Sequence, residues 1–312
     1  MREIAPPIDK SVLKQELKKV NFVRPTNNGG NEIYIFTASQ SEILMTEVGR
    51  LREVSFRSAG GGTGKELDID HFDRAESPYL QLIVWDPEDE AMIGGYRYIL
   101  CKDAIRTDGT FDLSTQEIFK YSEKMKTEYF PLTIELGRSW VQPNYQPKPG
   151  NRAGLFSLDN LWDGLGALII MRPEIEYFFG KVTMYPTYNA VARDHLLSFM
   201  HKVFPDREKL LDVENVLTID SDCSEMLKKI EGLDYKASHA ILNQTIRSLG
   251  ENIPPLFNSY MNLSPTMKTF PTSVNSHFGG VEETGIMIRI ADIYDTKKSR
   301  HLESYQEYLN KK

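Results

Sequence analysis

A chain of 312 residues, with 40% hydrophobic and 26% charged residues, has the composition of an ordinary soluble globular protein. Its formal net charge of −7 argues against a dedicated nucleic-acid binder, because such proteins are usually basic. No apolar run reaches about 18 residues, the amino terminus lacks a signal-peptide pattern, and two cysteines make no disulfide framework. We therefore expect a cytoplasmic protein without a membrane-spanning helix.

Hydrophobic periodicity predicts helices and strands along the whole chain. The predicted helices cover residues 9–20, 39–56, 158–179, 188–203, 254–261 and 298–310. The predicted strands cover residues 32–37, 79–85, 92–101, 131–141, 181–185, 267–271 and 285–293, and residues 102–130 are predicted to be mainly loop. This order predicts an α/β fold with a mixed sheet flanked by helices, and not a doubly wound parallel sheet.

The organisation predicted from these elements is a single domain over residues 1–312. Its core is expected over about residues 30–204 and 254–295. A charged, mainly helical insertion is expected over about residues 205–253, and it contains no recognisable chemistry. A C-terminal helix is expected over about residues 298–311.

The most informative stretch is the apolar strand predicted over residues 131–141, which carries Glu135 and Arg138. A period of two places these positions on opposite faces, so both reach one site only if the strand bulges, and Gly137 is where a bulge is expected. Charges in an apolar strand are costly unless they are paired or used. We therefore expect both residues to belong to a functional site, with a purely structural ion pair as the alternative.

Two glycine-containing stretches raise the question of phosphate binding. Residues 58–64 fail the P-loop template, because Ala59 and Glu66 stand where glycine and Ser or Thr belong. Residues 161–167 are expected near the start of a helix, where unpaired N–H groups and the helix dipole favour a phosphate. Packing alone also accounts for glycines at such a position.

Four charged motifs follow one another along the chain. They are Leu51-Arg52-x-x-x-Phe56, Asp70-x-x-Asp73, Gly94-x-x-Arg97 and Glu135-x-x-Arg138. Their order and spacing resemble the acyl-homoserine-lactone synthases, which have a GNAT-type acyltransferase fold and take acyl chains from acyl carrier protein. A glycine-rich loop stands where that family has a tryptophan, and this departure puts the S-adenosylmethionine site of those synthases in question here.

A closer resemblance rests on four segments of the sequence. They are Glu135-Leu-Gly-Arg-Ser-Trp-Val, Leu161-Trp-Asp-Gly-Leu-Gly-Ala, Phe179-Gly-Lys-Val-Thr-Met-Tyr and Pro254-Pro-Leu-Phe-Asn-Ser-Tyr-Met-Asn-Leu. These segments resemble the amino-acid N-acyltransferases that make lyso-ornithine or lyso-glycine lipids, often labelled hemolysin-like. The resemblance covers about residues 40–205 and 254–295. It implies a GNAT-type enzyme that moves a long (3-hydroxy)acyl chain from acyl carrier protein to the amino group of a small amino acid such as glycine or ornithine.

N-acylation needs a neutral amine, a stabilised oxyanion and a protonated leaving thiol. We expect Glu135 to act as the general base, directly or through water, and Arg138 to hold Glu135 or the acyl 3-hydroxyl region. Backbone N–H groups near Gly137 are expected to form the oxyanion site. Tyr185 or Tyr188 is expected to protonate the thiolate.

The amino-acid acceptor is expected to bind at the upstream charged motifs. Arg52 and Arg97 match a carboxylate bidentately, and Asp70 and Asp73 either orient these arginines or receive the ammonium group. Phe56 is expected beside them. A purely structural Arg–Asp network is the alternative.

The acyl donor is expected to lay its phosphopantetheine arm across Gly137, Trp162, Gly164 and Gly166. Three positively charged residues lie nearest in sequence: Lys148, Arg152 and Lys181. They are expected to contact acidic helices of the carrier protein, and ordinary surface charge is the alternative.

No metal and no bound cofactor is predicted, because the six histidines show no ligand spacing. An acyl thioester on acyl carrier protein or coenzyme A is expected as a co-substrate.

Three classes of function stay open. The first is a carrier-protein-dependent amino-acid N-acyltransferase. The second is a GNAT enzyme that uses acetyl- or acyl-coenzyme A on another amine, or an acyl-homoserine-lactone-type synthase, and the third is a catalytically silent lipid- or partner-binding module. Because the first class makes a membrane lipid, transient contact with the inner membrane through the C-terminal helix is a further hypothesis.

Overall fold

The computed structural model describes residues 1–146, 154 and 156–311 of the chain. The strands of these residues are β1 (Asn21–Pro25), β2 (Glu32–Phe36), β3 (Leu80–Asp86), β4 (Ala91–Leu100), β5 (Phe119–Tyr121), β6 (Thr133–Val141), β7 (Tyr177–Met184), β8 (Leu211–Val213), β9 (Lys268–Asn275) and β10 (Val281–Arg289). The helices are α1 (Lys10–Leu17), α2 (Glu42–Ser58), α3 (Ser157–Met171), α4 (Ala190–Val203), α5 (Ser224–Lys229), α6 (Tyr235–Ser248), α7 (Pro255–Met261), α8 (Asp295–Lys298) and α9 (Ser304–Lys311).

The chain divides into two compact units. The first contains Met1–Ser114, Phe130–Glu176 and Asp295–Lys312, and the second contains Thr115–Tyr129 and Tyr177–Tyr294. The single-domain assignment stays a prediction.

The first unit is built on antiparallel strands in the order β1-β2-β3-β4-β6. β3 and β4, both predicted as strands, form an antiparallel hairpin. Helix α2 packs on one face of this sheet, the face that carries Arg97, because its Arg52 reaches the side chain of Gln81 there. Helix α3 packs on the other face, where Gly164 lies against Leu82 and Tyr96.

The predicted bulge in the central strand is present. Gly95 pairs with Trp140 and Arg97 pairs with Gly137, so two residues of β6 face one residue of β4. The residue that adopts the left-handed conformation is Arg138, with φ of 47°, and not the preceding glycine. The bulge therefore lies one position later than predicted.

The second unit contains the antiparallel strands β7, β10 and β9, in that order, and a separate β5–β8 pair. Its core includes the aromatic rings of Phe179 and Phe270, which pack edge to face with their centres 6.0 Å apart. The segment predicted as a helical insertion contains α5 and α6, but also β8. It is tied to the rest of the unit by the β5–β8 pair and by a bridge between Val216 and Ser273.

Local chemistry explains where helices begin and end. The side chain of Asp9 accepts a hydrogen bond from Ser11 N and caps α1. The helix predicted over residues 158–179 was wrong in its second half: α3 ends at Met171, since Pro173 cannot continue a helix, and the following residues enter β7. Among the helices of the described residues, none has the length and apolar character needed to cross a membrane.

Candidate active site

Polar side chains gather on one face of the first unit's sheet. Gln81 lies opposite Arg97 in the β3–β4 pair, and Arg97 lies opposite Gly137 in the β4–β6 pair. Glu135 lies two residues before Gly137, opposite Ile99. Because strand residues alternate between faces, these polar positions share the face that α2 covers.

Arg52 reaches this face from α2 and is fully buried, with 0% of its side chain exposed. Its Nη1 donates to both carboxylate oxygens of Asp73, at 3.1 and 3.2 Å, and its Nη2 donates to Oε1 of Gln81. Burial acts to raise the pKa of Asp73, but the charges of Arg52 and then Arg97 outweigh it, so this pKa lies well below its usual range. Arg52 thus has no surface to offer a substrate, which corrects its predicted role as a carboxylate-binding residue.

Both terminal nitrogens of Arg97 bind carboxylates of the protein itself. They donate to Oδ1 and Oδ2 of Asp70 at 2.6 and 2.9 Å, and Nη1 also lies 3.1 Å from Asp73. The guanidinium carbon lies 4.9 Å from the ring centre of Tyr79 and 5.5 Å from that of Phe72. The terminal nitrogens of Arg97 are therefore committed to Asp70 and Asp73, which corrects the prediction that they hold a substrate carboxylate.

Arg138 connects the bulge to the same network. Its Nε donates to Oδ2 of Asp68 at 2.9 Å, and its Nη2 lies 3.5 Å from Oδ2 of Asp70. Asp68 is held in place by its own N–H, which donates to the carbonyl of Gly49 in α2 at 2.9 Å.

Solvent reaches this ionic network at two side chains. Asp70 is 26% exposed and Arg138 is 15% exposed, whereas Arg52 and Asp73 are at 0%. Burial acts to raise the pKa of Asp70, but the charge and hydrogen bonds of Arg97 outweigh it, so the pKa of Asp70 lies below its usual range. Asp70 is thus an ionised carboxylate at the solvent edge, next to a cation.

Glu135 lies deeper, at 0% exposure. Its Oε1 accepts hydrogen bonds from the hydroxyl of Tyr79 at 2.6 Å and from Oγ of Ser114 at 2.7 Å, and Ser114 N donates to the Tyr79 oxygen at 2.8 Å. Burial, and then the charge of Glu135, raises the pKa of Tyr79 well above its usual range, so its hydroxyl remains a donor. Of the two routes predicted for Glu135, direct or through water, its burial favours the indirect one.

Several residues of this cluster were not singled out from the sequence: Asp68, Tyr79, Gln81 and Ser114. A signal existed for Gln81, a lone amide in the apolar strand β3, and for Asp68, which belongs to the acidic run that ends at Asp73. For Ser114 the sequence contains no signal, because its partner is distant along the chain.

The glycine-rich loop after α2 binds a carboxylate of the protein itself. Glu53 is fully buried and accepts from the backbone N–H groups of Thr63 and Gly64 at 3.0 and 2.8 Å. The loop amides are therefore used internally, which agrees with the rejection of a nucleotide-binding loop at this position.

The predicted phosphate contact at Gly164 and Gly166 is corrected by the start of α3. Since the helix begins at Ser157, both glycines lie beyond its first four residues, where backbone N–H groups are bonded within the helix. A Cβ at Gly164 would lie 2.8 Å from the hydroxyl of Tyr96, and one at Gly166 would lie 2.5 Å from the carbonyl oxygen of His301. Close packing explains both glycines.

The second unit holds three predicted site residues. Lys181 is 8% exposed, and its Nζ lies 2.8 Å from Glu283, so it is not a free surface cation for docking. Burial and then Glu283 raise the pKa of Tyr185 to about 12, and burial raises the pKa of Tyr188 to about 12. Both hydroxyls are therefore weaker acids than usual.

The remaining predicted residues have varied positions. Phe56 follows Arg52 by one turn of α2 and is nearly buried, and Trp162 is half-buried on α3. Lys148 and Arg152 lie outside the described residues. Within the part of the chain that the structure describes, no group of three or more His, Cys, Asp or Glu side chains is arranged to hold a metal ion.

Comparison with known proteins agrees with this geometry. A family model described as an acetyltransferase (GNAT) domain matches residues 51–153, the stretch that contains most of the charged cluster. The fold and the cluster therefore define an acyltransferase of the GNAT class, which acts on an amino group and uses an acyl donor as co-substrate. The predicted fold class is confirmed.

Two curated relatives extend over nearly the whole chain. A glycine N(alpha)-acyltransferase of Phocaeicola vulgatus is 50% identical over 98% of this chain and 94% of its own length. A glycine N(alpha)-acyltransferase of Bacteroides thetaiotaomicron is 48% identical over 98% of this chain and 91% of its own length. The chain belongs to the family of these N-acyltransferases, and the resemblance to amino-acid N-acyltransferases is confirmed. No solved structure matches the chain.

Proposed function

We propose that the protein transfers a long (3-hydroxy)acyl chain from acyl carrier protein to the amino group of glycine, forming a lyso-aminolipid. The observation that carries this proposal is the 50% identity over 98% of the chain to a protein named for acylation of glycine. Carrier protein as donor and a lipid as product follow from the resemblance to enzymes that make lyso-aminolipids.

The acceptor binds at the solvent edge of the ionic network. Asp70 offers a carboxylate to the ammonium group, and Arg138 offers a guanidinium to the carboxylate. The two side chains approach within 3.5 Å, which suits a small zwitterion whose opposite charges are one carbon apart. Ornithine would bring a second ammonium group, for which the exposed part of the described network has only the carboxylate of Asp70.

The chemistry follows from the groups behind this edge. The bound ammonium must lose a proton before its nitrogen attacks the thioester carbonyl, and Glu135 takes that proton through an intermediary because it is buried. Backbone N–H groups at the bulge next to Gly137 stabilise the oxyanion. Tyr185, with a pKa of about 12, is a poor source for the thiolate's proton, since a thiol has a pKa of about 8.5.

The donor side of the proposal concerns the carrier protein. We retain Lys148 and Arg152 as its contacts, because carrier proteins present acidic helices and charge complementarity speeds association. Charge reversal of both should raise KM for acyl carrier protein and leave KM for glycine unchanged. The matched control is Lys229→Glu, a surface cation of α5 that is 60% exposed. An unchanged KM for the carrier protein would remove this part of the proposal.

Peripheral contact with the inner membrane is also part of the proposal, because the product is an amphiphile. The end of α9 exposes Leu309 at 39%. Leu309→Glu should weaken flotation with anionic liposomes, and equal flotation of the variant and the wild type would contradict this contact. A substitution is preferable to deletion of the helix, because Nδ1 of His301 in the same segment donates to Oδ1 of buried Asp163 at 2.8 Å.

Thiol release tests the function as a whole. The purified protein is given 3-hydroxyacyl carrier protein with glycine, ornithine, serine or alanine, and the lipid extract is analysed by mass spectrometry. N-acylglycine as the main product supports the proposal. The family description as an acetyltransferase makes acetyl-coenzyme A the alternative donor. Turnover with that thioester alone would replace the carrier-protein proposal.

A further inference from the structure

At position 137, neither the backbone conformation nor close packing among the described residues requires a glycine. The φ of Gly137 is not among the positive values of the chain, so its backbone does not need glycine. Apart from its chain neighbours, the nearest atom of the described residues to a Cβ built at this position is Oγ of Ser114, at 3.6 Å, an ordinary contact distance. An alanine would therefore fit, in backbone conformation and in space.

Other glycines of the same unit differ in this respect. A Cβ at Gly94 would lie 2.5 Å from the carbonyl oxygen of Trp140, and one at Gly95 would lie 2.5 Å from that of Leu82. Close approach of the backbone accounts for them. A strand glycine with neither a strained backbone nor a close neighbour is typical of a place where a ligand comes near the chain.

Two polar groups border the space beside Gly137. Nε of Arg97 lies 3.7 Å from the Cβ position, is buried, and has no hydrogen-bond partner among the described residues. Its N–H is a donor whose burial without a partner is costly. Oγ of Ser114 donates its proton to Glu135, so towards this space it presents acceptor lone pairs.

One donor and one acceptor facing the same small space match a molecule that both accepts and donates. Water has this chemistry. It accepts from Arg97 Nε, donates to Ser114 Oγ, and keeps a lone pair for an N–H of the substrate. Gly137 is half-buried, so the space is within reach of the substrate edge.

We propose that the position beside Gly137 holds a water molecule that relays the acceptor's proton to Ser114 and from there to Glu135. The inference rests on the proposed function and identifies its proton path. One N–H bond of the ammonium breaks, water gains that proton and gives another to Ser114 Oγ, and Ser114 gives its original proton to Glu135. The ammonium becomes a neutral amine and the Glu135 carboxylate becomes a carboxylic acid. Ser114 thus relays the proton to Glu135, and Gly137 is a positioning residue that leaves room for the water.

Gly137→Ala tests the path, because its methyl group, 3.6 Å from Ser114 Oγ and 3.7 Å from Arg97 Nε, would enter the space that the water needs without a steric clash. We expect kcat to fall by about 100-fold or more with an unchanged Tm. Without the relay only the neutral fraction of the amine reacts, so below the amine's pKa kcat/KM should rise about tenfold per pH unit, more steeply than in the wild type.

Ser114→Ala should give the same slope of kcat/KM against pH, and the double variant should be no slower than the slower of the two single variants. Ser39→Ala, at an exposed serine of the same unit, should stay within about twofold of the wild type.

A second measurement does not depend on turnover. A high-resolution crystal structure of the wild type should show an ordered water within hydrogen-bond distance of Arg97 Nε and Ser114 Oγ, and the Gly137→Ala structure should lack it. Unchanged kcat and pH slope in Gly137→Ala, or an empty position in the wild type, overturns the proposal. If the wild type acylates no amino acid, the proposed function fails, and the crystallographic result still decides whether the water site exists.

Discussion

Arg138 adopts the left-handed backbone conformation, with φ of 47°, and from there its Nε donates to Oδ2 of Asp68 at 2.9 Å. This conformation costs a non-glycine residue about 1–2 kcal/mol. The conformation accompanies a bulge that places the guanidinium on the same face as Glu135, at the edge where Asp70 is exposed. A strained residue at such an edge is typical of a functional site.

Substitution of Arg138 should separate strain from function. Arg138→Ala loses the ion pair and keeps the strain, whereas Arg138→Gly loses the ion pair and relieves it. We therefore expect the glycine variant to have the larger free energy of unfolding, by about 1 kcal/mol, with both variants impaired in transfer. Urea unfolding monitored by fluorescence makes the comparison. Equal stabilities would show that the conformation of Arg138 carries no strain.

Arg52 should matter for stability more than for substrate affinity. Arg52→Met leaves the Asp73 carboxylate buried without its main partner, which costs about 3–5 kcal/mol in the free energy of unfolding. The control is Arg74→Met, whose ion pair with Glu42 is 51% exposed on the arginine side and should cost less than about 1 kcal/mol. Chemical denaturation of the two variants tests this, and similar losses in both would contradict the buried network.

Asp70 should govern binding of the amino acid. Asp70→Asn removes the charge proposed to receive the ammonium group but keeps hydrogen-bonding atoms for Arg97. We expect KM for glycine to rise about tenfold or more, with KM for the acyl donor unchanged. Asp112→Asn, in the ion pair with Arg106, is the control in the same unit. A rise in KM for the donor instead would assign Asp70 to the thioester side.

Glu208 of the second unit should make stability sensitive to acid. Hydrogen bonds from Lys124, Lys268 and Tyr129 lower the pKa of Glu208 from 4.5 to about 2. A carboxyl group with a depressed folded-state pKa contributes stability that is fully present above its unfolded-state pKa. This contribution is lost as pH falls from about 4.5 to about 2.

The measurement is urea unfolding as a function of pH. In Glu208→Gln the fall in unfolding free energy over that interval should be smaller than in the wild type. Identical dependence of the unfolding free energy on pH in the two proteins would show that the hydrogen bonds of Glu208 do not stabilise the folded state.

Much of the fold could be predicted from the sequence, because it depends on local signals. Apolar runs marked β3 and β4, and apolar periodicity marked α2 and α4. Errors arose where a local signal was outweighed, as at Pro173, which ends α3 before the apolar pattern does. The short strand β8 has only three residues and owes its existence to its partner β5, so no pattern within it predicts a strand.

The charged residues of the site were predictable, but their depth was not. Arg52, Asp73 and Arg97 were singled out as members of charged motifs, and the structure brings them together. The packing of α2 on the sheet decides which of these charged side chains are exposed to a substrate, and residue spacing in the sequence does not predict this packing. Ser114 became visible only through its hydrogen bond to Glu135, because the two residues lie 21 positions apart in the sequence.

The most direct measurement is formation of N-acylglycine from 3-hydroxyacyl carrier protein and glycine by Glu135→Gln. The amide keeps an oxygen that accepts from Tyr79 and Ser114 but cannot take a proton, so kcat should fall by about 100-fold or more with an unchanged Tm. Glu47→Gln, a buried α2 carboxylate paired with Arg50, should retain wild-type turnover. Wild-type turnover in Glu135→Gln would contradict the assignment of Glu135 as the proton acceptor and leave it a structural residue.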